Sequence, residues 1–152
     1  MKAPPSLRRE HEELHADLAR AGQKSGNLGL TAREVARIMH PHFLREDEYA
    51  IPPLSLLPRL AKGQVTPDMA EVLPLVARLK EEMPLMIEEH RAIMGAVRAF
   101  SLAAEADGDE EAIRLAAELM VHAQLEEEVL YPAAVLVGEY VKAKLQPQAV
   151  RS

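Results

Sequence analysis

Two segments of this chain recur almost 80 residues later, and this repeat is the strongest constraint on its fold. REHEELHADL at 9–18 matches EEHRAIMGAV at 88–97 with an offset of 79 residues. HFLREDEYAIP at 42–52 matches HAQLEEEVLYP at 122–132 with an offset of 80 residues. A histidine stands at the matched position of each pair. We therefore interpret the chain as two copies of one structural unit.

Each copy is predicted to be a pair of helices. Apolar residues recur at helical spacing almost throughout, and alternating β-branched or aromatic runs are missing. The four helices are expected to begin near Pro5, Thr31, Thr66 and residues 107–111 and to end near Gly22, Ala50, Ala104 and Val141. Thr31 to Glu34 has the form of a capping box at the start of the second helix. Two such pairs predict an all-α, up-and-down antiparallel four-helix bundle with a pseudo-twofold helical-hairpin repeat.

The two halves are joined by residues 54–67, where the spacing of Leu54, Leu57 and Leu60 predicts a short helix with one buried side. We expect one bundle domain over residues 1–145 and a disordered tail over residues 146–152.

Composition excludes several classes of function. The chain has no cysteine, which excludes disulfides, thiolate metal sites and a cysteine nucleophile. A net charge of -6 without a basic cluster, and an aromatic content of 3%, argue against nucleic-acid binding. The first residues lack an apolar signal core, and no apolar run is long enough to span a bilayer. These features predict a cytoplasmic protein with no membrane partner and a small ligand.

The repeat places six metal-ligating side chains in matched positions. Residues four apart on a helix differ by about 40° in direction and about 6 Å in height. His42 and Glu46 therefore point the same way, and so do His122 and Glu126. His11 and His90 lie in the apolar stripes of the other two helices. Four imidazoles and two carboxylates are predicted to converge on the bundle axis.

Buried together, these groups are typical of a dinuclear metal site. Two buried carboxylates are costly without cations, and two divalent metals would neutralise them. Each metal would receive two histidine nitrogens, and each glutamate could bridge the pair, with room for an oxo or hydroxo bridge and an open position. Imidazole and carboxylate donors without thiolate favour two iron ions, with manganese or zinc as alternatives. The competing interpretation is four satisfied core histidines and two solvated glutamates.

The order His, His-x-x-x-Glu, His, His-x-x-x-Glu, with one element per helix, resembles the hemerythrin-like, or HHE cation-binding, family over residues 7–140. EEHRAI and HAQLEEEVLYP are similar to that family's third and fourth helix signatures. The resemblance implies a four-helix bundle with a non-haem di-iron centre that binds dioxygen or a related diatomic. Ferritin-like bundles use Glu-x-x-His twice with two further glutamates, and only Glu12 with His15 fits that pattern here.

His15 has two competing interpretations. With His11 and Glu12 it forms HEELH, the string of a zinc protease. A metzincin continuation would require glycine and histidine where the chain has Leu18 and Ala21, so the protease interpretation is rejected. Oxygen-carrying hemerythrins have a fifth histidine on the third helix, at the position of Met94. His15 holds the corresponding place on the first helix, so it is either a fifth metal ligand or a residue outside the ligand set.

Regular helical geometry also gives expectations for the neighbours of the site. Tyr49 is expected to pack in the core, with donation of a hydrogen bond or an electron in the pocket as the alternative, whereas Tyr131 is expected to point away from His122. The carboxylates that follow Glu46 and Glu126, Asp47 and Glu127 among them, are expected to lie in solvent.

The sequence favours a protein that binds or senses dioxygen, nitric oxide or iron over an enzyme. A di-iron oxidase or a peroxide-consuming enzyme on the same scaffold is the alternative. An iron-responsive bundle that binds a protein partner is a third interpretation, and it would require an exposed apolar surface.

Overall fold

The computed structural model describes residues 1–146, and every regular element within them is helical. The α-helices are α1 (Pro5–Gly22), α2 (Gly26–Arg45), α3 (Leu57–Ala61), α4 (Val72–Asp107), α5 (Glu110–Leu125) and α6 (Tyr131–Leu145). Short 3₁₀ turns, Pro52–Leu56 and Pro67–Glu71, precede α3 and α4, and π-helical turns, Glu46–Ala50 and Glu126–Leu130, follow α2 and α5. The all-α prediction is confirmed. Apart from Gln146, the predicted tail lies outside the described residues.

Four helical rods pack against one another. The helix α1 contacts α2 and α5, and α4 contacts α2, α5 and α6. The π turn Glu126–Leu130 joins α5 and α6 without a break, so together they form one rod. Within the described residues, no helix combines the length and apolar content needed to cross a membrane.

The apolar core is divided into three clusters. The largest lies between α1, α2, α4 and α5 and includes Leu18, Phe43 and Val97. The second includes Leu79, Met86 and Tyr131, and the third packs α6 against the start of α4. With the exception of Phe43, the first cluster follows His11 and His90 in sequence and precedes His42 and His122, whereas the second has the reverse order. The histidines therefore lie between two apolar layers of the core.

The start of α2 differs from the sequence prediction. We expected a capping box at Thr31, but α2 begins at Gly26. The Thr31 hydroxyl donates to two carbonyl oxygens of the preceding turn, at 2.8 and 3.0 Å, so Thr31 is inside the helix. Gly29 allows this early start, because a Cβ there would lie 1.8 Å from the carbonyl oxygen of Lys24. The loop between α1 and α2 is correspondingly shorter than predicted.

The other predicted helix starts are close to those observed. Thr66 is the extended residue before the 3₁₀ turn that leads into α4. Asp109 caps α5 by accepting a hydrogen bond from the Ala112 amide at 3.0 Å. In the connection, Leu54 is buried as expected, but Leu57 is exposed and Leu56 is buried. The 3₁₀ turn causes this shift, because it advances about 120° per residue instead of about 100°.

Two π turns were not predicted. The Ile51 amide donates to the Glu46 carbonyl at 2.9 Å, which spans five residues instead of four. The Tyr131 amide donates to the Glu126 carbonyl in the same way. Each turn begins at the glutamate of a His-x-x-x-Glu motif. Such turns are rare and are frequently found at functional sites.

Candidate metal centre

Six polar or charged residues are buried within residues 1–146, and they are the six that the repeat predicts: His11, His42, Glu46, His90, His122 and Glu126. Their exposed fractions lie between 0 and 6%. Four rods contribute them, so no single helix can form the cluster. The alternative that Glu46 and Glu126 are solvated surface residues is wrong.

The potential ligand atoms form two groups that share one residue. His42, Glu46, His90 and Glu126 make up the His42–His90 group, and His11, His122 and Glu126 make up the His11–His122 group. Within each group the donor atoms lie within 4.8 Å of one another. Each group contains two histidines from different helices.

The two oxygens of Glu126 point to different groups. Oε1 lies 3.1 Å from His90 Nε2, and Oε2 lies 3.1 Å from His122 Nε2 and 3.6 Å from His11 Nε2. Glu46 Oε1 lies 3.4 Å from His42 Nε2 and 4.0 Å from His11 Nε2. The carboxylates thus lie between the two pairs of imidazoles.

Among residues 1–146, three of the four carboxylate oxygens of Glu46 and Glu126 have no hydrogen-bond partner. These are Glu46 Oε1 and both oxygens of Glu126. The short contacts from the histidine Nε2 atoms lack hydrogen-bond geometry. Unsatisfied buried oxygens of an anion are costly, and a cation is the group that satisfies them. The donor set therefore fits bound metal.

Each histidine also has a carboxylate on its outer side. The Nδ1 contacts are His11 to Asp47 (3.3 Å), His42 to Glu89 (3.2 Å), His90 to Glu127 (2.9 Å) and His122 to Glu10 (2.5 Å). An ionised carboxylate only accepts, so Nδ1 carries the proton and Nε2 presents a lone pair to the interior. This arrangement is typical of metal-ligating histidines.

Two facing nitrogen lone pairs at hydrogen-bond distance repel each other unless a proton or a cation lies between them. His11 Nε2 and His122 Nε2 are 3.2 Å apart. Burial lowers the pKa of His90 and His122, but Glu126, together with Glu127 at His90 and Glu10 at His122, outweighs this effect and raises both pKa values above the ordinary value. Burial, with Glu126 adding to it, raises the pKa of Glu46 well above its usual range. Protons and metal cations therefore compete for the same positions.

Tyr131 lies in the site, so the expectation that it points away is wrong. Its hydroxyl donates to Glu46 Oε2 at 2.7 Å and lies 3.2 Å from His90 Nε2 and 3.4 Å from His42 Nε2. Burial, with the nearby carboxylates, raises its pKa far above the ordinary value. The expectation assumed α-helical rotation from His122, whereas the intervening π turn holds an extra residue and rotates the ring inward by about 100°.

Tyr49 is fully buried, and its hydroxyl is directed away from both groups. It donates to Glu82 and lies 3.4 Å from Met86 Sδ. The core-packing expectation is confirmed by this burial.

His15 is in neither ligand group of the described residues. It is half-buried. The centroid of its ring lies 4.5 Å from that of Phe43 and 6.1 Å from that of the exposed His40. Phe43 in turn stacks on His11, with the ring centroids 4.5 Å apart. Burial lowers the pKa of His15, and His40 lowers it further. The structure thus places an aromatic ring against both histidines of the HEELH segment.

The outer carboxylates were not predicted from the sequence as partners of the histidines. Asp47 and Glu127 are solvated in part, as expected, but each also contacts a histidine. The repeat contained a signal for them, because Glu10 matches Glu89 and Asp47 matches Glu127 at the same two offsets.

Shallow grooves reach two of the histidines from outside. One groove between α1 and α5 includes Leu14, Val121 and His122 in its lining. Another, between α4 and α5, includes His90, Met94 and Met120. Each group thus has one histidine that borders a surface groove.

Comparisons of the chain with models of protein families, with curated proteins and with solved structures found no match.

Proposed function

We propose that the chain is a hemerythrin-like protein that holds two iron ions at the buried His/Glu cluster and binds dioxygen or a related diatomic there. The observation that carries this proposal is the set of unsatisfied oxygens of Glu46 and Glu126, which face four histidine Nε2 atoms in a dry core. Imidazole and carboxylate donors without thiolate suit iron, with manganese and zinc as the competing metals.

We also propose that the rods run up and down, antiparallel to their neighbours. With the exception of Phe43, the first core cluster lies after the histidine in α1 and α4 and before it in α2 and α5. The second cluster has the opposite order in all four rods. Neighbouring rods that run in opposite directions account for this alternation.

The protein's own residues have three roles in this proposal. Glu126 bridges the two groups, because each of its oxygens points to one of them. The outer carboxylates hold each imidazole in the tautomer that presents Nε2. Apolar neighbours such as Phe43 and Met86 exclude water from the centre. When bound, a reduced di-iron pair supplies the electrons with which a diatomic ligand is bound.

A second function is supported by the number of histidines. Each group contains two, and His15 is in neither, so the two groups together contain four histidines. A four-histidine centre leaves more positions open to external molecules, which favours turnover. The second candidate is therefore a di-iron oxidase or a peroxide-consuming enzyme.

One experiment separates these functions. The protein is loaded anaerobically with ferrous iron, its metal content is measured, and its optical spectrum is followed as air is admitted and then removed. Two irons per chain with charge-transfer bands that reverse on degassing support ligand binding. Two irons that oxidise irreversibly support the enzyme. No iron, or a single zinc in the protein as purified, contradicts both.

A further inference from the structure

The hydroxyl of Tyr131 lies among the donor atoms of the His42–His90 group. Its oxygen is 2.7 Å from Glu46 Oε2, 3.2 Å from His90 Nε2 and 3.4 Å from His42 Nε2. It is the phenol of a fully buried side chain. Three separate donors of one candidate metal position thus surround the same oxygen.

These separations are those of ligands that share a metal ion. Nitrogen and oxygen donors bind metals at about 2.0–2.2 Å, so two donors at right angles are about 3 Å apart. A hydrogen bond to Glu46 alone would require only the first of the three contacts. The approach to both imidazole Nε2 atoms points to a place in the same coordination shell.

Within the part of the chain that the structure describes, the other group has no matching donor. The position that corresponds to Tyr131 in the first half of the chain is Ile51, a buried aliphatic residue. The aromatic ring that contacts the His11–His122 group on that side is Phe43, which stacks on His11 and has no donor atom. The two groups, each of which takes one histidine from either half of the repeat, therefore differ in composition.

We propose that Tyr131 is a further ligand to the cation held by His42 and His90, and that the cation held by His11 and His122 keeps the open position for the external ligand. This inference rests on the proposed function. On binding to a ferric ion, the phenol O–H bond breaks, an oxygen–iron bond forms and the proton leaves to solvent, with no electron transferred. A phenolate is a hard, anionic donor, so the ion bound by His42 and His90 is held preferentially in its ferric state.

The test uses the optical signature of a phenolate bound to ferric iron. The full chain is loaded with ferrous iron, oxidised with ferricyanide, and examined by visible absorption and by resonance Raman spectroscopy. We expect a phenolate-to-iron charge-transfer band and enhanced phenolate ring vibrations in the unmodified protein. Because this measurement needs no variant, it does not depend on how a substitution folds.

Tyr131→Phe and Tyr49→Phe form a matched pair of variants. Both remove one hydroxyl from a fully buried ring, but Tyr49 donates to Glu82, away from the centre. We expect Tyr131→Phe to keep two irons and lose the band, and Tyr49→Phe to keep both. Two bound irons without a phenolate band in the unmodified protein, or a band that survives in Tyr131→Phe, would overturn the inference and leave the proposed function standing. Failure to bind iron would overturn both.

Discussion

At the residue scale, each histidine of the centre is constrained on two sides. Its Nδ1 contacts a carboxylate near the surface, and its Nε2 points into the core. The outer carboxylate immediately precedes a histidine, as Glu10 and Glu89 do, or immediately follows a glutamate of the centre, as Asp47 and Glu127 do. Ligands and supporting residues therefore belong to the same short segments, and the whole arrangement is duplicated.

Glu127 provides a test of these supporting contacts. Glu127→Gln replaces the acceptor of the His90 Nδ1 proton, a contact of 2.9 Å, with a weaker and differently oriented group. We expect metal affinity to fall about 10- to 100-fold with little loss of helical structure. A competition titration with a metal chelator measures this change.

The neighbouring Glu128 is the control for that substitution. It is exposed and accepts a hydrogen bond from Gln124 on the helix surface. Glu128→Gln removes the same charge one residue further along the chain but no contact to a histidine. It should therefore leave metal affinity unchanged. Equal losses in the two variants would mean that net charge, rather than the contact to His90, controls affinity.

At the element scale, the π turns decide which side chains reach the centre. Each turn adds one residue to an otherwise regular rod directly after a glutamate of the site. No composition signal distinguishes EDEYA or EEEVL from an α-helical segment. The orientation of Glu46 and Glu126 followed from helical spacing, but that of Tyr131 did not, because Tyr131 lies beyond the extra residue.

Deleting a residue from a π turn should be tolerated better than deleting one from a regular helix. Val129 lies in the π turn and Leu136 lies in α6, and both side chains are exposed. Without Val129 the turn can become α-helical while both flanking segments keep their packing. Without Leu136 every later side chain rotates by about 100°, which takes Val137 and Val141 off the core.

Thermal unfolding followed by circular dichroism compares the two deletions. We expect the Tm to fall clearly less for the Val129 deletion than for the Leu136 deletion. The reverse order would mean that the extra residue, rather than the packing beyond it, stabilises the rod.

The packing of α6 on α4 can be tested at a glycine. A Cβ at Gly138 would lie 2.5 Å from Val76 Cγ1, whereas a Cβ at the exposed Gly95 of α4 would meet nothing within 4 Å. Gly138→Ala should lower the free energy of unfolding by about 1–3 kcal/mol through overpacking. Gly95→Ala should raise it by about 0.5–1 kcal/mol through helix propensity. Urea titration of both variants measures these opposite signs, and stabilisation by Gly138→Ala would contradict the close approach.

At the scale of the whole molecule, the helical fold and the buried cluster could be predicted because they depend on periodicity and on the register of the repeat. His11 and His90 lie in apolar stripes, and Glu46 and Glu126 follow a histidine by four residues, so a regular helix is sufficient to orient them. The early start of α2 could not be predicted, because it depends on the close contact of Gly29 with Lys24. The differing environments of Tyr131 and Ile51 depend on tertiary packing, which a matched sequence position does not contain.

The central claim is that one buried cluster holds two metal ions, and metal content per chain tests it most directly. After loading with ferrous iron and removal of excess metal, elemental analysis should give two irons for the unmodified protein. His122→Ala and Glu126→Ala should each bind less iron and unfold at a lower temperature, because removing one ligand leaves buried charge unpaired. His40→Ala, at an exposed position outside both groups, should still bind two. Unchanged iron stoichiometry in both His122→Ala and Glu126→Ala would contradict the assignment of the centre.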